Sequence, residues 1–353
     1  MSSEKTAEAL PEHGVTAWSQ LIGHDRLQSW LAAAIGSHRF SGSFLLVGTP
    51  GVGKRTVAKL IAKTLLCEKS PPETMEPCGK CEGCIQVEAG THPDVVTVAK
   101  PKEKSSIPIK LLIGEDDARM QSGFCRDVRI KPLRGKRKVA ILQDADFLQT
   151  EAANSLLKTL EEPPPGTVVL VIGTNEQKQL PTIRSRCRIL RLGPLSVDDT
   201  VRLIRTAHQI EADEDAIRGA ADMAGGDVHA AVRLLTSQSD HLRQSLTKQF
   251  ESPHPDPMLI NRIISSHVGQ AGKEARLRRE AMRDAFSIAM QFYRQRLRQQ
   301  AFASLFDQAT LARLERSVRA LQEVDRNANQ ATLIECYATD IAAATTGDPG
   351  GSE

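Results

Sequence analysis

The chain has 353 residues, 40% of them hydrophobic but only 4% aromatic, and its 46 basic and 43 acidic side chains leave a net charge of +3. That size suggests two or three domains at ~150 residues each, with cores of Leu and Ala rather than an aromatic-rich β-sandwich, and a charge balance that neither requires nor excludes nucleic acid. No run of about 18 apolar residues occurs, so no membrane span is expected, and the polar opening MSSEKTAEALPEHG does not read as a secretory leader; the expectation is a cytoplasmic protein with reduced cysteines.

Both ends, residues 1–15 and 345–353, are polar and expected to be disordered. Between them, strand and helix signals alternate over residues 16–195. The run SFLLV at 43–47 is a short apolar stretch ending at a glycine, as a buried strand should. The next residues, GTPGVGKR at 48–55, read as a phosphate-binding loop with one wrong position. Gly48, Gly53 and Lys54 fit the pattern, Gly51 adds a further glycine, and Arg55 stands where Ser or Thr should hold Mg²⁺. In such a loop successive backbone N–H groups point at phosphate oxygens, and the next helix adds its positive end. Residues 56–66 carry Val57, Leu60, Ile61 and Leu65 at helical spacing, so the loop has the right context: strand before, helix after. Thr56 does not restore the missing hydroxyl, because one step along a helix turns a side chain by about 100°.

Cys67, Cys78, Cys81 and Cys84 come next, spaced C-x10-C-x2-C-x2-C around the loop-like EKSPPETMEP. Four thiolates at that spacing suit a tetrahedral structural Zn²⁺ within an insertion at 67–84. An iron–sulfur cluster would continue x3-C-P, where this chain has Glu88 and Ala89; disulfides or free thiols stay open for these four cysteines. Cys125, Cys187 and Cys336 are isolated and read as buried small hydrophobes.

Three more strands are predicted: KVAIL at 138–142, TVVLVI at 167–172 and a fourth at 188–192. Strands separated by helices argue for a parallel sheet with helices on both faces. The run VAILQDAD at 139–146 ends a buried strand in acids, so Asp144 is the candidate Mg²⁺-side carboxylate. Ala145 occupies the next position, where a hydrolysing enzyme carries Glu, and Asp146 points elsewhere.

Beyond residue 195 the pattern is all helical. Ser196 with Asp198 and Asp199 predicts a helix start, and residues 196–248 form a small helical unit broken at Gly225-Gly226. A proline-rich linker at 253–257 leads into further helices, within a domain assigned to 249–344. There Met282, Phe286, Ala289, Tyr293 and Leu297 share a face, beside Arg276, Arg278, Arg279, Arg283, Arg294, Arg296 and Arg298. Phe286 and Tyr293 read as core; the arginines read as a solvated face, or alternatively as contacts to DNA phosphates or an acidic partner.

LIGHD at 21–25, HPD at 92–94, RGKRKVAIL at 134–142, NSLLKTLEEPPPGT at 154–167, IRSRC at 183–187 and the four-cysteine insertion together resemble bacterial clamp-loader subunits, AAA+ proteins of the DNA polymerase III holoenzyme. The resemblance covers roughly residues 18–240. It implies a RecA-like domain at 16–195 with a zinc module, a helical lid at 196–248 and a helical collar at 249–344. It also implies a heteropentamer with gamma/tau and delta subunits that loads a sliding clamp on primed DNA, within a complex that is a DNA-directed DNA polymerase.

The motor subunits of that family hydrolyse ATP, whereas the delta prime kind usually has degenerate motifs. This chain departs from the motor pattern at Arg55, at Ala145 and at His229, which sits in GGDVHAAVRLL (225–235) where the family's sensor-2 Arg contacts the γ-phosphate. Asn175, in IGTN at 172–175, keeps the sensor-1 position. The resemblance assigns Arg186 as an arginine finger acting on a neighbour's ATP; the alternative is a solvated basic cluster with Arg184, Arg188 and Arg191. The expectation is a delta prime-like subunit in which ATP or ADP binding is left open and hydrolysis is not expected. The rivals are a divergent gamma/tau motor with its own ATPase and a stand-alone zinc-dependent DNA-binding protein.

Overall fold

Runs rich in Val, Ile and Leu form five strands: β1 (Gly42–Val47), β2 (Val95–Val98), β3 (Lys138–Leu142), β4 (Thr167–Gly173) and β5 (Arg188–Arg191). The computed structural model describes residues 15–344 except 102, 116–118, 120, 209, 211, 237, 238, 273, 303–306 and 327. The expected disordered ends therefore lie outside the described residues, apart from Val15. The strands make one sheet in the order β2-β3-β4-β1-β5, every neighbouring pair parallel. The chain divides into two units, Met1–Val232 and Arg233–Glu353.

In the first unit the helices are α1 (Asp25–Gly36), α2 (Lys54–Leu66), α3 (Glu82–Ala89), α4 (Lys110–Ile113), α5 (Phe124–Arg129), α6 (Thr150–Glu161), α7 (Pro181–Arg184), α8 (Val197–Ala207) and α9 (Glu214–Ala224); α10 (Val228–Thr236) starts there too. A parallel sheet must be covered on both sides. Leu45, Ala140, Leu142, Val169 and Val171 pack under Leu112, Phe124, Val128 and Leu156. The alternating residues Phe44, Leu46, Val139, Val168 and Leu170 face the other way and are equally buried. This is the α/β sheet architecture expected of an AAA+ domain, with β2 added. The sequence pattern does not announce β2, a four-residue edge strand in which only Val98 is buried. Ser196 caps α8 by accepting the Asp199 N–H at 3.0 Å, as its position predicts. Cys125 and Cys187 are buried, but Cys336 is exposed, against expectation.

α2 and α3 pack against each other. Their contact carries a buried charge: Lys63, 1% exposed, and Lys59 each donate to one oxygen of Glu88 at 2.6 Å. A buried ammonium needs such a partner, since leaving it unpaired exposes the fold to its full desolvation cost.

The second unit holds α11 (Ser239–Glu251), α12 (Pro257–Gln270), α13 (Ala275–Phe302), α14 (Gln308–Asp325) and α15 (Gln330–Ala343). The linker ends where Asp256 caps α12 by accepting the N–H groups of Met258 and Leu259, with Pro257 in the first turn where its missing N–H costs nothing. Phe286, Tyr293 and Tyr337 are fully buried, so the two aromatics of α13 are core, as their spacing indicates. Arg313 and Arg316 lie over the Tyr293 and Tyr337 rings at 5.9 and 5.5 Å, and Ser317 Oγ shares a hydrogen bond with the Tyr337 hydroxyl at 3.1 Å. Arg276 has no described side chain.

Glu88→Ala is expected to strand the Lys63 ammonium and to destabilise the first unit by about 1–3 kcal/mol, read as a lower denaturation midpoint at unchanged slope; an unchanged midpoint would show the pair to be dispensable.

Candidate functional site

The parallel register sets the site's plan. Val47 pairs with Gly173, and Leu142 with Val171, so the segments leaving β1, β3 and β4 emerge side by side at the carboxyl edge of the sheet. Open parallel sheets bind ligands at that edge.

The first of these segments is the phosphate loop. Gly53, in the left-handed region, leads directly into α2, which begins at Lys54, two residues earlier than its apolar periodicity indicates. A buried imidazole supports the loop from below: His24 Nε2 donates to the Val52 carbonyl at 2.8 Å. Lys54 is nearly buried, and its ammonium donates to the Gly48 and Thr49 carbonyls, both at 2.7 Å. Burial pushes its pKa down, opposed by the charges of Asp146 and Asp227. Thr56 is half-buried one step further along α2.

Arg55 turns toward β3. Its Nη2 meets Asp144 Oδ1 at 3.0 Å, with the Arg55 side chain half exposed. The second Asp144 oxygen accepts the Lys100 N–H at 3.3 Å. Ala145 is buried behind it. Asp146 does point elsewhere: its carboxylate accepts the Thr174 N–H at 2.8 Å and the Gln179 side-chain amide, holding the segment after β4. Asn175 is part of that segment and caps its own turn by accepting the Gln177 N–H at 2.8 Å.

One residue at this edge is not singled out by any sequence motif of the loop. Asp227 caps α10 by accepting the Ala230 N–H at 3.0 Å, and it lies against the loop: a Cβ added at Gly51 would stand 2.0 Å from Asp227 Oδ1. Gly51 has φ +71°, so the position excludes side chains twice, by space and by backbone conformation. Its one signal in the sequence is Gly-Gly-Asp before a helical run, a cap pattern. His229, which the sequence sets against the family's sensor-2 Arg, is exposed, its ring 6.3 Å from that of His208.

Arg186 lies elsewhere. It precedes β5, whose first residue, Arg188, pairs with Phe44 of β1. Gly48 comes four residues after Phe44, so Arg186 sits at the amino end of the sheet, at least ~13 Å along the strands from its own phosphate loop. Its Nε meets Glu161 Oε2 at 3.1 Å and its Nη1 donates to the Thr182 carbonyl at 3.2 Å. Within the basic cluster Arg191 pairs with Glu176 at 2.7 Å.

At the far end of α2, the sulfurs of Cys67, Cys78, Cys81 and Cys84 all lie within 4.8 Å of one another. Four ligands at ~2.3 Å from a tetrahedral ion stand about 3.8 Å apart, so small adjustments close the set, and a four-sulfur donor set suits a metal. Backbone N–H groups already point at the sulfurs: Ser70 and Cys78 at Cys67, Cys81 at Cys78, and Cys84 at Cys81, at 3.3–3.4 Å. Burial raises the Cys67 thiol, but these amides outweigh it and bring it down to about 6, while burial pushes the Cys84 thiol up.

The structure also gives the HPD run at 92–94 a role. Fully buried Asp94 accepts the Leu133 and Arg134 N–H groups at 2.6 and 2.8 Å. So held, Arg134 reaches Glu68 at 3.0 Å, Glu82 at 2.7 Å and Gln86 at 3.0 Å around the cysteines. Asp94 thereby fastens the four-cysteine module to the sheet edge.

Residues 23–196 match the family described as "DNA polymerase III, delta subunit". This segment belongs to that family. The matched stretch contains the phosphate loop, the four cysteines, Asp94, Asp144 and Arg186, while Asp227 and His229 lie beyond it. The chain is similar to DNA polymerase III subunit delta' of Pseudomonas aeruginosa, at 41% identity over 152 residues, 43% of each chain. It is similar to the delta' subunit of Escherichia coli at 31% over 217 residues, 61% of each chain, and to the tau subunit of E. coli at 31% over 194 residues, 55% of this chain and 27% of tau. The chain thus matches 43% and 61% of the lengths of those two delta' subunits. Among solved structures it aligns with a gamma subunit-related protein of Thermotoga maritima over 91% of this chain and 100% of that one, at 18% identity and a TM-score of 0.42. No helix among the described residues is long and apolar enough to cross a membrane.

Gly51→Ala is expected to force the loop off the Asp227 cap and to cost about 1–3 kcal/mol in backbone strain, measured by chemical denaturation; Gly193→Ala, where an added Cβ meets nothing within 4 Å, serves as the control.

Proposed function

We propose that the chain is a delta prime-like clamp-loader subunit of DNA polymerase III that does not hydrolyse ATP itself and lends Arg186 to a neighbouring subunit's ATP. Similarity to delta' and to tau relatives supports the clamp-loader role. In this reading residues 16–195 are the AAA+ domain, 196–248 the lid and 249–344 the collar. Gamma/tau and delta subunits complete a cytoplasmic heteropentamer that opens a sliding clamp and sets it on primed DNA.

The observation that carries the reading is the placement of the two charged ends of the sheet. At the carboxyl edge, the hydroxyl and glutamate that hydrolysis needs are replaced by Arg55 and buried Ala145, and Arg55 pairs with Asp144. At the amino edge, Arg186 is too far from that loop to serve it. A finger out of reach of its own site and held by Glu161 suits action across a subunit boundary, where a fixed guanidinium stabilises charge developing on a γ-phosphate. A gamma/tau-type motor is the second reading, favoured by the similarity to tau.

The test is ATP turnover by the purified chain and by the assembled complex. The chain alone is expected to be inactive, and turnover abolished by Lys54→Ala would establish the motor reading instead. In the complex, Arg186→Ala is expected to leave assembly intact while the one site it faces slows by about 10³-fold or more, so total turnover falls by that site's share.

The four cysteines are proposed to hold structural Zn²⁺. Elemental analysis is expected to find one zinc per chain and no iron. Because the ligands must be thiolates, and burial raises the Cys84 thiol, zinc affinity is expected to fall as pH drops from 8 to 6 in competition with a chromophoric chelator.

A further inference from the structure

The carboxylate that would face Mg²⁺ at the phosphate loop already has a cation. Arg55 Nη2 meets Asp144 Oδ1 at 3.0 Å, and Oδ2 accepts the Lys100 N–H at 3.3 Å. Both oxygens therefore face donors. Mg²⁺ requires oxygen ligands at ~2.0–2.1 Å in near-ideal octahedral geometry and gives up water reluctantly. Here its hydroxyl ligand is absent, its carboxylate is engaged, and a second positive charge would have to enter beside a guanidinium. The residues present do not fit the metal.

They do retain the means to hold phosphate. Gly48, Gly51 and Gly53 shape the loop, α2 presents its amino end, and Lys54 is parked on two loop carbonyls that a stronger acceptor could replace. Arg55 adds a fork of donors suited to phosphate oxygens, with one nitrogen on Asp144.

We propose that Arg55 takes the electrostatic place of the divalent cation, so that the loop binds a metal-free polyphosphate, either the phosphates of a nucleotide or inorganic pyrophosphate, and excludes Mg²⁺. The proposal rests on the reading of this loop as non-hydrolysing and names its ligand. Asp227 sets the opposing charge. It caps α10 against Gly51, so its carboxylate repels an incoming phosphate, and Asp227→Asn should tighten binding while keeping a capping side chain.

Calorimetric titration of the full chain with ADP, and separately with pyrophosphate, in EDTA and in excess Mg²⁺ tests this. The expected result is binding in EDTA that does not strengthen on adding Mg²⁺ and weakens as far as Mg²⁺ sequesters the ligand in solution. ADP tighter than pyrophosphate assigns the nucleotide as the source; equal affinities assign the polyphosphate alone. Arg55→Thr, which restores the hydroxyl, should lose about tenfold or more of its affinity in EDTA and regain it with Mg²⁺. Electron paramagnetic resonance should show Mn²⁺ held with ADP by Arg55→Thr and not by the natural chain. Binding of neither ligand in EDTA, a rise of about tenfold with Mg²⁺ in the natural chain, or Mn²⁺ held there would each overturn the proposal. These measurements on the natural chain stand whether or not the variant folds. Gel filtration with the partner subunits is scored separately: failed assembly with metal-free binding intact would sink the clamp-loader reading alone.

Discussion

The parallel pairing of β1 between β4 and β5 is the constraint on which the rest depends. Because all five strands run the same way, every segment leaving a strand gathers at one edge of the sheet and every segment entering one gathers at the other. Gly48–Lys54, Asp144 and Thr174 share the first edge without any contact needing to be specified for the purpose. Arg186 is placed at the second by the same register. The pairing of Phe44 with Arg188 therefore fixes a separation that no side-chain rearrangement can close. A chain built this way has a glycine-rich loop at one end of its sheet and an arginine held by Glu161 at the other.

The two edges are stabilised by different physics. The phosphate edge is a set of local polar ties: His24 to Val52, Lys54 to its own loop, Arg55 to Asp144, Asp146 to Thr174. Each is modest because exchanging water for a protein partner returns only about 1 kcal/mol. Their joint effect is positional, since they hold glycine-rich backbone in which Val52 is the buried apolar side chain. The four-cysteine module is tied down by fewer groups, chiefly buried Asp94 and the pairing of buried Lys63 with partly exposed Glu88.

Much of this is legible in the sequence because it is local. Four of the five strands, the phosphate loop, the cysteine spacing and the Ser196 cap are encoded within a few consecutive residues, and the sheet and helices form where those signals lie. β2 escapes because four residues at an edge, with one buried side chain, carry almost no periodicity. Asp227 escapes because its meaning lies in tertiary contact: it is an ordinary helix cap until α10 is laid against Gly51. Asp94 is visible as part of a motif, but its work of gripping the Leu133 and Arg134 amides needs two segments about 40 residues apart to meet. Arg55 is visible as an anomaly, and its partner Asp144 only as a separate candidate; their pairing belongs to the folded chain.

α2 joins the two regions end to end. It begins at Lys54, in the phosphate loop, and stops at Leu66, next to Cys67, a rod of about 20 Å. Glu88 clamps it through Lys59 and Lys63, nearer its cysteine end. A tilt at that clamp is therefore levered to the other tip, where an angular change too small to break a hydrogen bond still displaces the loop amides sideways. The four-cysteine module and the glycine-rich loop are thus the two ends of one helix, and what holds the helix at one end bears on its direction at the other.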